Sequence, residues 1–148
     1  MPAEGFHHPR EILLVEDNPA DARLVELAFG RRGAFERLSR VGDGVEAMDF
    51  LHRRGAYVDR RRPDLVILDL NLPRKSGREV LAEMKADRGL WQIPVIALSS
   101  LDDREVVSEC YELGANAYVV KPHDFDGFVA AVQVIERFWV EVVTLPAH

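Results

Sequence analysis

Leu65-Val66-Ile67-Leu68-Asp69 is an apolar run closed by a carboxylate, and the rest of the chain can be read outward from it. An apolar run without the period-two alternation of a half-wet strand reads as a strand buried on both faces. Such strands belong to parallel sheets. The pattern returns at Ile12-Leu13-Leu14-Val15, at Val95-Ile96-Ala97-Leu98 and at Tyr118-Val119-Val120, with Phe35 to Val41 as a weaker candidate. Helix starts fall between the runs. Asn18-Pro19 is a cap followed by a first-turn proline, and Asp43 with Glu46, Ser76 with Glu79 and Asp102 with Glu105 are capping-box pairs. Gly33 and Gly114 stand where helices end, and Asp124 opens a last helix that is expected to run on toward Thr144. A β-α unit repeated five times with right-handed crossovers is an α/β fold, a doubly wound five-stranded parallel sheet. Residues 1–10 are expected to form a mobile N-terminal tail and residues 11–148 one domain with an extended C-terminal helix. The one long irregular stretch runs from His52 to Pro63.

Composition narrows the class. The 148 residues suit one domain. The 19 Lys and Arg against 25 Asp and Glu give a net charge of −6, which argues against a nucleic-acid binder that must displace counterions. Cys110 is the single cysteine, so no intrachain disulfide is possible and a reducing, cytoplasmic setting is expected. No apolar run approaches the ~20 residues of a membrane helix. The stretch from Met1 to Arg10 has no apolar signal core, so neither membrane insertion nor secretion is expected. The arginines Arg53, Arg54, Arg60, Arg61 and Arg62 read as a solvated loop, with contact to an acidic partner as the sharper alternative.

Open parallel sheets bind ligands at the carboxyl ends of their strands. The residues there are Glu16-Asp17, Asp69, Ser99 and Lys121. An acid after a strand is usually a cap or a solvated turn. Acids, a hydroxyl and an ammonium at all four ends form a set with complementary chemistry. Crowded carboxylates ask for a hard divalent cation, and Mg²⁺ takes a few protein oxygens together with waters and a phosphate. Lys121 supplies a positive point charge for a phosphoryl oxygen, and Ser99 a hydrogen bond to the same group. A carboxylate beside such a metal and lysine can attack phosphorus.

The set Glu16-Asp17, Asp69, Ser99-Ser100 and Lys121-Pro122 resembles the receiver domain of two-component response regulators, over residues 11 to 144. The resemblance implies the flavodoxin-like (βα)5 receiver fold. It makes Asp69 the acceptor of a phosphoryl group from a histidine kinase, and Glu16, Asp17 and Asp69 with the backbone carbonyl of Asn71 the holders of Mg²⁺. It makes Ser99 and Lys121 the groups that sense the phosphoryl group, and Ser99 and Tyr118 the switch pair. It also implies a cis Lys121–Pro122 bond. Serine at 99 stands in place of the family's more frequent threonine, and Ser100 where many members have alanine; neither removes a needed group. The stretch from Val66 to Gly77, the insertion from His52 to Pro63 and Phe138-Trp139 followed by Leu145-Pro146 are similar to the single-domain regulators paired with bacterial phytochromes. A phytochrome-type histidine kinase is the implied partner.

Two other classes compete. A metal-dependent phosphatase with an aspartate nucleophile wants a second acid two residues on as general acid, and Asn71 stands there. A binding module that no longer takes phosphate sits badly with intact Asp17, Asp69 and Lys121. With nothing after residue 148 to carry output, a signal is expected to leave by protein contact or phosphorelay, with no catalysis beyond the chain's own phosphoryl transfer and dephosphorylation.

The last helix supplies one more expectation. At 100° per residue, Gln133, Arg137, Glu141 and Thr144 gather on one polar face. Phe128, Val132, Ile135 and Trp139 face the sheet, and Val134, Phe138, Val142 and Leu145 lie on an adjoining face. An apolar arc of roughly 220° exceeds the ~100° that one packed face needs. A homodimer through Val134, Phe138, Trp139, Val142 and Leu145 is therefore expected, with a C-terminal tail, Leu145 to His148, folded back over this face as the alternative.

Overall fold

A computed structural model describes residues 6–7, 11–30 and 37–146. The five apolar runs are five strands of one sheet: β1 (Glu11–Val15), β2 (Arg37–Val41), β3 (Leu65–Asp69), β4 (Val95–Ser99) and β5 (Ala117–Val120). All neighbours run parallel, in the spatial order β2-β1-β3-β4-β5. The order reverses between β1 and β3, which opens a crevice at their carboxyl ends. Register keeps those ends level: Val15 lies beside Leu68 and Val41, Asp69 beside Leu98, and Ser99 beside Val120.

Five helices cover both faces: α1 (Pro19–Gly30), α2 (Gly44–Leu51), α3 (Gly77–Ala86), α4 (Arg104–Leu113) and α5 (Phe125–Glu136). Alternate residues of each strand feed opposite layers. Leu13, Val15, Val66, Leu68, Val95 and Ala97 pack with Met48, Phe50, Val80, Leu81, Met84 and Cys110 of α2, α3 and α4. Ile12, Leu14, Leu65, Ile67, Ile96 and Leu98 pack with Val25 and Phe29 of α1 and with Phe128, Val132 and Ile135 of α5. That double burial is why the runs lack polar alternation, and each such side chain contributes about 1.5–3 kcal/mol relative to exposure.

Caps fall largely where the sequence places them. Asn18 Oδ1 accepts from the N–H groups of Ala20 (2.9 Å) and Asp21 (3.1 Å). Asp43 caps α2, Ser76 caps α3 and Asp124 caps α5 through the N–H groups of Glu46, Glu79 and Gly127. Gly114 ends α4 in the left-handed region at φ 108°. The cap of α4 is Asp103, not the expected Asp102: the N–H of Glu105 donates to Asp103 Oδ1 at 2.8 Å. Only Asp102 stands three residues before Glu105, but the N–H of Glu105 is taken by Asp103, two residues before it.

Other boundaries differ from the expected ones. Helix α1 is described to Gly30; Gly33 and Phe35 lie outside the described residues. The last helix does not reach Thr144. It passes into a π-helical segment over Arg137–Val142, and Val143 is extended (φ −72°, ψ 135°). Leu145–Pro146 then pairs antiparallel with Phe6–His7, two residues assigned to the tail; the rest of 1–10 lies outside the described residues. The cause is local. Val142-Val143-Thr144 is β-branched, and a residue before proline, here Leu145, is pushed out of the helical region. The stretch from His52 to Pro63 holds a 3₁₀ turn over Gly55–Tyr57, and the Tyr57 ring packs on Phe50 with centroids 5.2 Å apart.

Candidate functional site

The strand ends converge as the sequence implies. Glu16 leaves β1 with its N–H bonded to the Val41 carbonyl of β2 (3.0 Å), and Lys121 leaves β5 with its N–H on the Ser99 carbonyl of β4 (2.7 Å). These bonds extend the ladder one residue past the strands and aim both side chains into the crevice. Asp69 is the last residue of β3. The loop behind it is held by Gly77, whose N–H donates to the Leu70 carbonyl at 3.0 Å. A Cβ at Gly77 would sit 2.3 Å from the Asp69 carbonyl oxygen, so this close approach requires glycine.

Lys121 is the hub. Its Nζ donates to Glu16 Oε1 at 2.7 Å, to Asp21 Oδ2 at 3.0 Å and to Asp69 Oδ2 at 3.2 Å. Glu16, Asp69 and Lys121 are all buried, and Ser99 is fully so. The other oxygen of Asp69, Oδ1, accepts from the N–H of Asn71 at 3.0 Å. Glu16 Oε2 accepts from the N–H of Asn18 at 3.3 Å.

Burial and the neighbouring Asp69 push the Glu16 carboxyl up to about 8, against the opposing pull of Lys121. Burial pulls the Lys121 ammonium down, but Glu16, Asp69 and Asp21 outweigh it and hold the group above the usual lysine range. The site is acid-rich: Glu16, Asp21 and Asp69 meet one ammonium, with exposed Asp17 beside Glu16 and Asp69.

Oxygens of Glu16, Asp17 and Asp69 lie within 4.8 Å of one another. Three hard carboxylate donors at that spacing, one of them solvent-facing, fit a hard divalent cation that keeps waters in its shell. Asn71 meets Asp69 through its N–H.

Ser99 and Tyr118 are joined through Leu101. The Leu101 N–H donates to Ser99 Oγ at 3.1 Å, and the Tyr118 hydroxyl donates to the Leu101 carbonyl at 2.6 Å. Burial raises the Tyr118 phenol, and a hydrogen bond to Ser99 lowers it in part. Half-buried against the α2–α4 layer, Tyr118 is linked through Leu101 to Ser99, the last residue of β4.

Two expectations are corrected. The Lys121–Pro122 bond is trans, as all peptide bonds are among the described residues. A tertiary amide still favours trans by about 0.5–1 kcal/mol, and the ammonium reaches its three partners from that geometry. The five residues expected to form one surface do not share it. Val134, Phe138 and Val142 are exposed. Trp139 packs partly against the α1–α5 layer, edge-on to Phe138 at 5.8 Å. Leu145, off the helix, is 6% exposed and lines a small cavity with Arg62, Pro63, Ile93 and Pro94.

One site residue was missed altogether. Asp21 reads in sequence as a first-turn helix acid. Its signal was spacing: it lies on the helix that starts directly after the acid pair, five residues beyond Glu16.

Comparison with known proteins agrees with this geometry. The family model described as the response regulator receiver domain matches residues 12–133. Response regulator Rcp1 of Synechocystis sp. is 45% identical over 139 residues, which cover 94% of this chain and 95% of that protein. The crystal structure of the Mn²⁺-bound form of Rcp1 superposes with a TM-score of 0.91 at 45% identity, covering 94% of this chain and all of that one. The phosphorylated cyanobacterial phytochrome response regulator RcpA superposes with a TM-score of 0.90 at 43% identity, covering 95% of this chain and 99% of that one.

Proposed function

This chain belongs to the response regulator receiver family, and from that premise we propose that it is a phosphorylation switch that accepts a phosphoryl group on Asp69 from a histidine kinase of the bacterial phytochrome type. One observation carries the reading: Lys121 Nζ lies 3.2 Å from Asp69 Oδ2 at the carboxyl rim, beside an acidic cluster of Glu16, Asp17 and Asp69. The likeness to a phytochrome response regulator supports the kinase class.

Glu16, Asp17 and Asp69, with the backbone of Asn71, would hold Mg²⁺. The ion would supply positive charge to the phosphoryl oxygens in the transition state. Asp69 is the nucleophile, buried and oriented by the Asn71 N–H and the Lys121 ammonium. Lys121 then pairs with the new negative charge in a charge-assisted hydrogen bond. Ser99 Oγ is already bonded to the Leu101 N–H. Rotation of that hydroxyl toward the phosphoryl group frees the Leu101 backbone, on whose carbonyl Tyr118 hangs. The switch therefore runs from Ser99 to Tyr118 through one residue of the loop before α4.

The chain catalyses its own phosphoryl transfer and dephosphorylation and no other reaction. It acts in the cytoplasm, by protein contact or phosphorelay. It pairs with a second copy through the exposed Val134, Phe138 and Val142, with Trp139 at the edge. Incubation with acetyl phosphate, with and without Mg²⁺, tests the switch reading. An Mg²⁺-dependent acyl-phosphate located on Asp69 by mass spectrometry is expected, and weaker Mg²⁺ binding in Asp17→Ala. Rapid turnover of an added phosphate ester would mark a phosphatase instead, and no phosphorylation a constitutive binding module.

A further inference from the structure

An ammonium has three N–H donors, and those of Lys121 are all spent on carboxylates: Glu16, Asp21 and Asp69. Two of the three, Glu16 and Asp69, also belong to the cluster with Asp17 that fits a divalent cation. A cation there competes with Lys121 for the same oxygen lone pairs and repels the ammonium. Asp21 is the one carboxylate on Lys121 that stands outside this competition.

The ordinary role of an acid in a first helical turn is to complement the N-terminal end of the helix. That role does not explain a bond to a lysine 100 residues away. The free N–H groups at the start of α1 are already met by Asn18 Oδ1, which takes those of Ala20 and of Asp21 itself. The Asp21 carboxylate is thereby released to reach across to the end of β5. Its side chain is 27% exposed, so the contact is partly screened from water without the full cost of burying a second charge.

We propose that Asp21 is the positioning residue for Lys121, a metal-independent anchor that keeps the ammonium aimed at Asp69 while a divalent ion occupies Glu16, Asp17 and Asp69. The inference rests on the phosphoacceptor reading above. In the transfer, a lone pair of an Asp69 carboxylate oxygen forms the new O–P bond. The bond from phosphorus to the donor's leaving group breaks, and its electron pair departs with that group. The Nζ–H that pointed at Asp69 passes to a phosphoryl oxygen, while the bond to Asp21 is retained. Without that anchor, a flexible four-carbon side chain must find the geometry in each encounter, and rate is lost.

The test is the rate of phosphorylation by acetyl phosphate at saturating Mg²⁺ in wild type, Asp21→Ala and Asp21→Asn, each with and without Lys121→Ala. Mn²⁺ affinity is measured alongside by electron paramagnetic resonance. Asp21→Ala is expected to slow phosphorylation about tenfold, the order of one charge-assisted hydrogen bond. Asp21→Asn, which keeps an acceptor oxygen, is expected to recover part of the loss. Mn²⁺ affinity should stay within about twofold, because Asp21 is outside the cluster. In the Lys121→Ala background the Asp21 changes should have no further effect, the signature of coupling through the lysine.

Three results would overturn the proposal. Phosphorylation of Asp21→Ala as fast as wild type or faster would mean that Asp21 only repels an anionic donor. An equal loss in the Lys121→Ala background would mean an effect that bypasses the lysine. A parallel fall in Mn²⁺ affinity would make Asp21 a ligand. A folded wild type that takes no phosphate, or an Asp69→Asn variant that does, would instead strike the phosphoacceptor reading and this inference with it.

Discussion

The carboxyl rim of the sheet and the segment that follows α5 invert the usual rule of burial in opposite directions. At the rim, Glu16, Asp69, Ser99 and Lys121 are polar and buried. After α5, Phe138 and Val142 are apolar and at least half exposed, with Val134 beside them on the helix. A buried cluster with more carboxylates than ammoniums is under electrostatic stress, and an apolar strip in water is under hydrophobic stress. On the proposed function, a divalent cation would relieve the rim and a second protein surface would cover the strip. The strain at the rim is held in place by ladder bonds one residue beyond the strands and by Gly77 packed on the Asp69 backbone.

The sharpest way to break the contrast is Asp69→Asn. An amide is too poor a nucleophile to form the acyl-phosphate. Phosphorylation is expected to fall by about a thousandfold or more, scored by intact-protein mass spectrometry, with folding retained.

Next in size is a pair of truncations. Leu14→Ala, inside the α1–α5 layer beneath the rim, should cost about 2–5 kcal/mol in urea unfolding. Val142→Ala, on the strip, should stay within about 0.5 kcal/mol in a monomeric protein. Equal costs would mean that the strip is buried by the chain itself.

Phe138→Glu comes third. It should weaken self-association about tenfold or more by light scattering, since it sets a charge in an apolar contact. The rate of phosphorylation should not change, because the rim is not involved.

A further effect is on pH dependence. The Glu16 carboxyl is raised from 4.5 to about 8 in the folded chain, chiefly by burial. The folded state therefore binds this proton more tightly than the unfolded one. The stability it contributes is fully present below the unfolded value and is lost as pH rises through the folded one. Metal-free protein should lose stability from about pH 5 to about pH 8, and apparent Mg²⁺ affinity should rise over the same range as the proton leaves Glu16. A flat stability profile, with Mg²⁺ affinity independent of pH, would place the Glu16 carboxylate in its ordinary range.

Local rules read the rim well. A run buried on both faces ends where its backbone leaves the sheet, and parallel register puts all such ends on one side. Glu16, Asp69, Ser99 and Lys121 therefore followed from strand position alone. The caps at Asn18, Asp43, Ser76 and Asp124 followed from pairing rules that act within four residues. Those rules missed at α4, where Asp103 takes the N–H of Glu105 in place of Asp102, which has the expected spacing.

What sequence by itself determined here is what short-range stereochemistry and burial determine: five strands, the three central ones buried, their order with helices between, and the chemistry at each strand end. Tertiary structure alone decided three things. It brought Asp21 to Lys121, a contact between the first turn of α1 and the residue that follows β5, set by the packing of α1 on α5. It left the Lys121–Pro122 bond trans, a choice between states separated by little more than thermal energy. It also turned Leu145 inward to pair beside His7, removing it from a face that helical periodicity had assigned to it. Helical periodicity holds only while the helix lasts, and this one ends where β-branched residues and a pre-proline position make the extended chain the lower state.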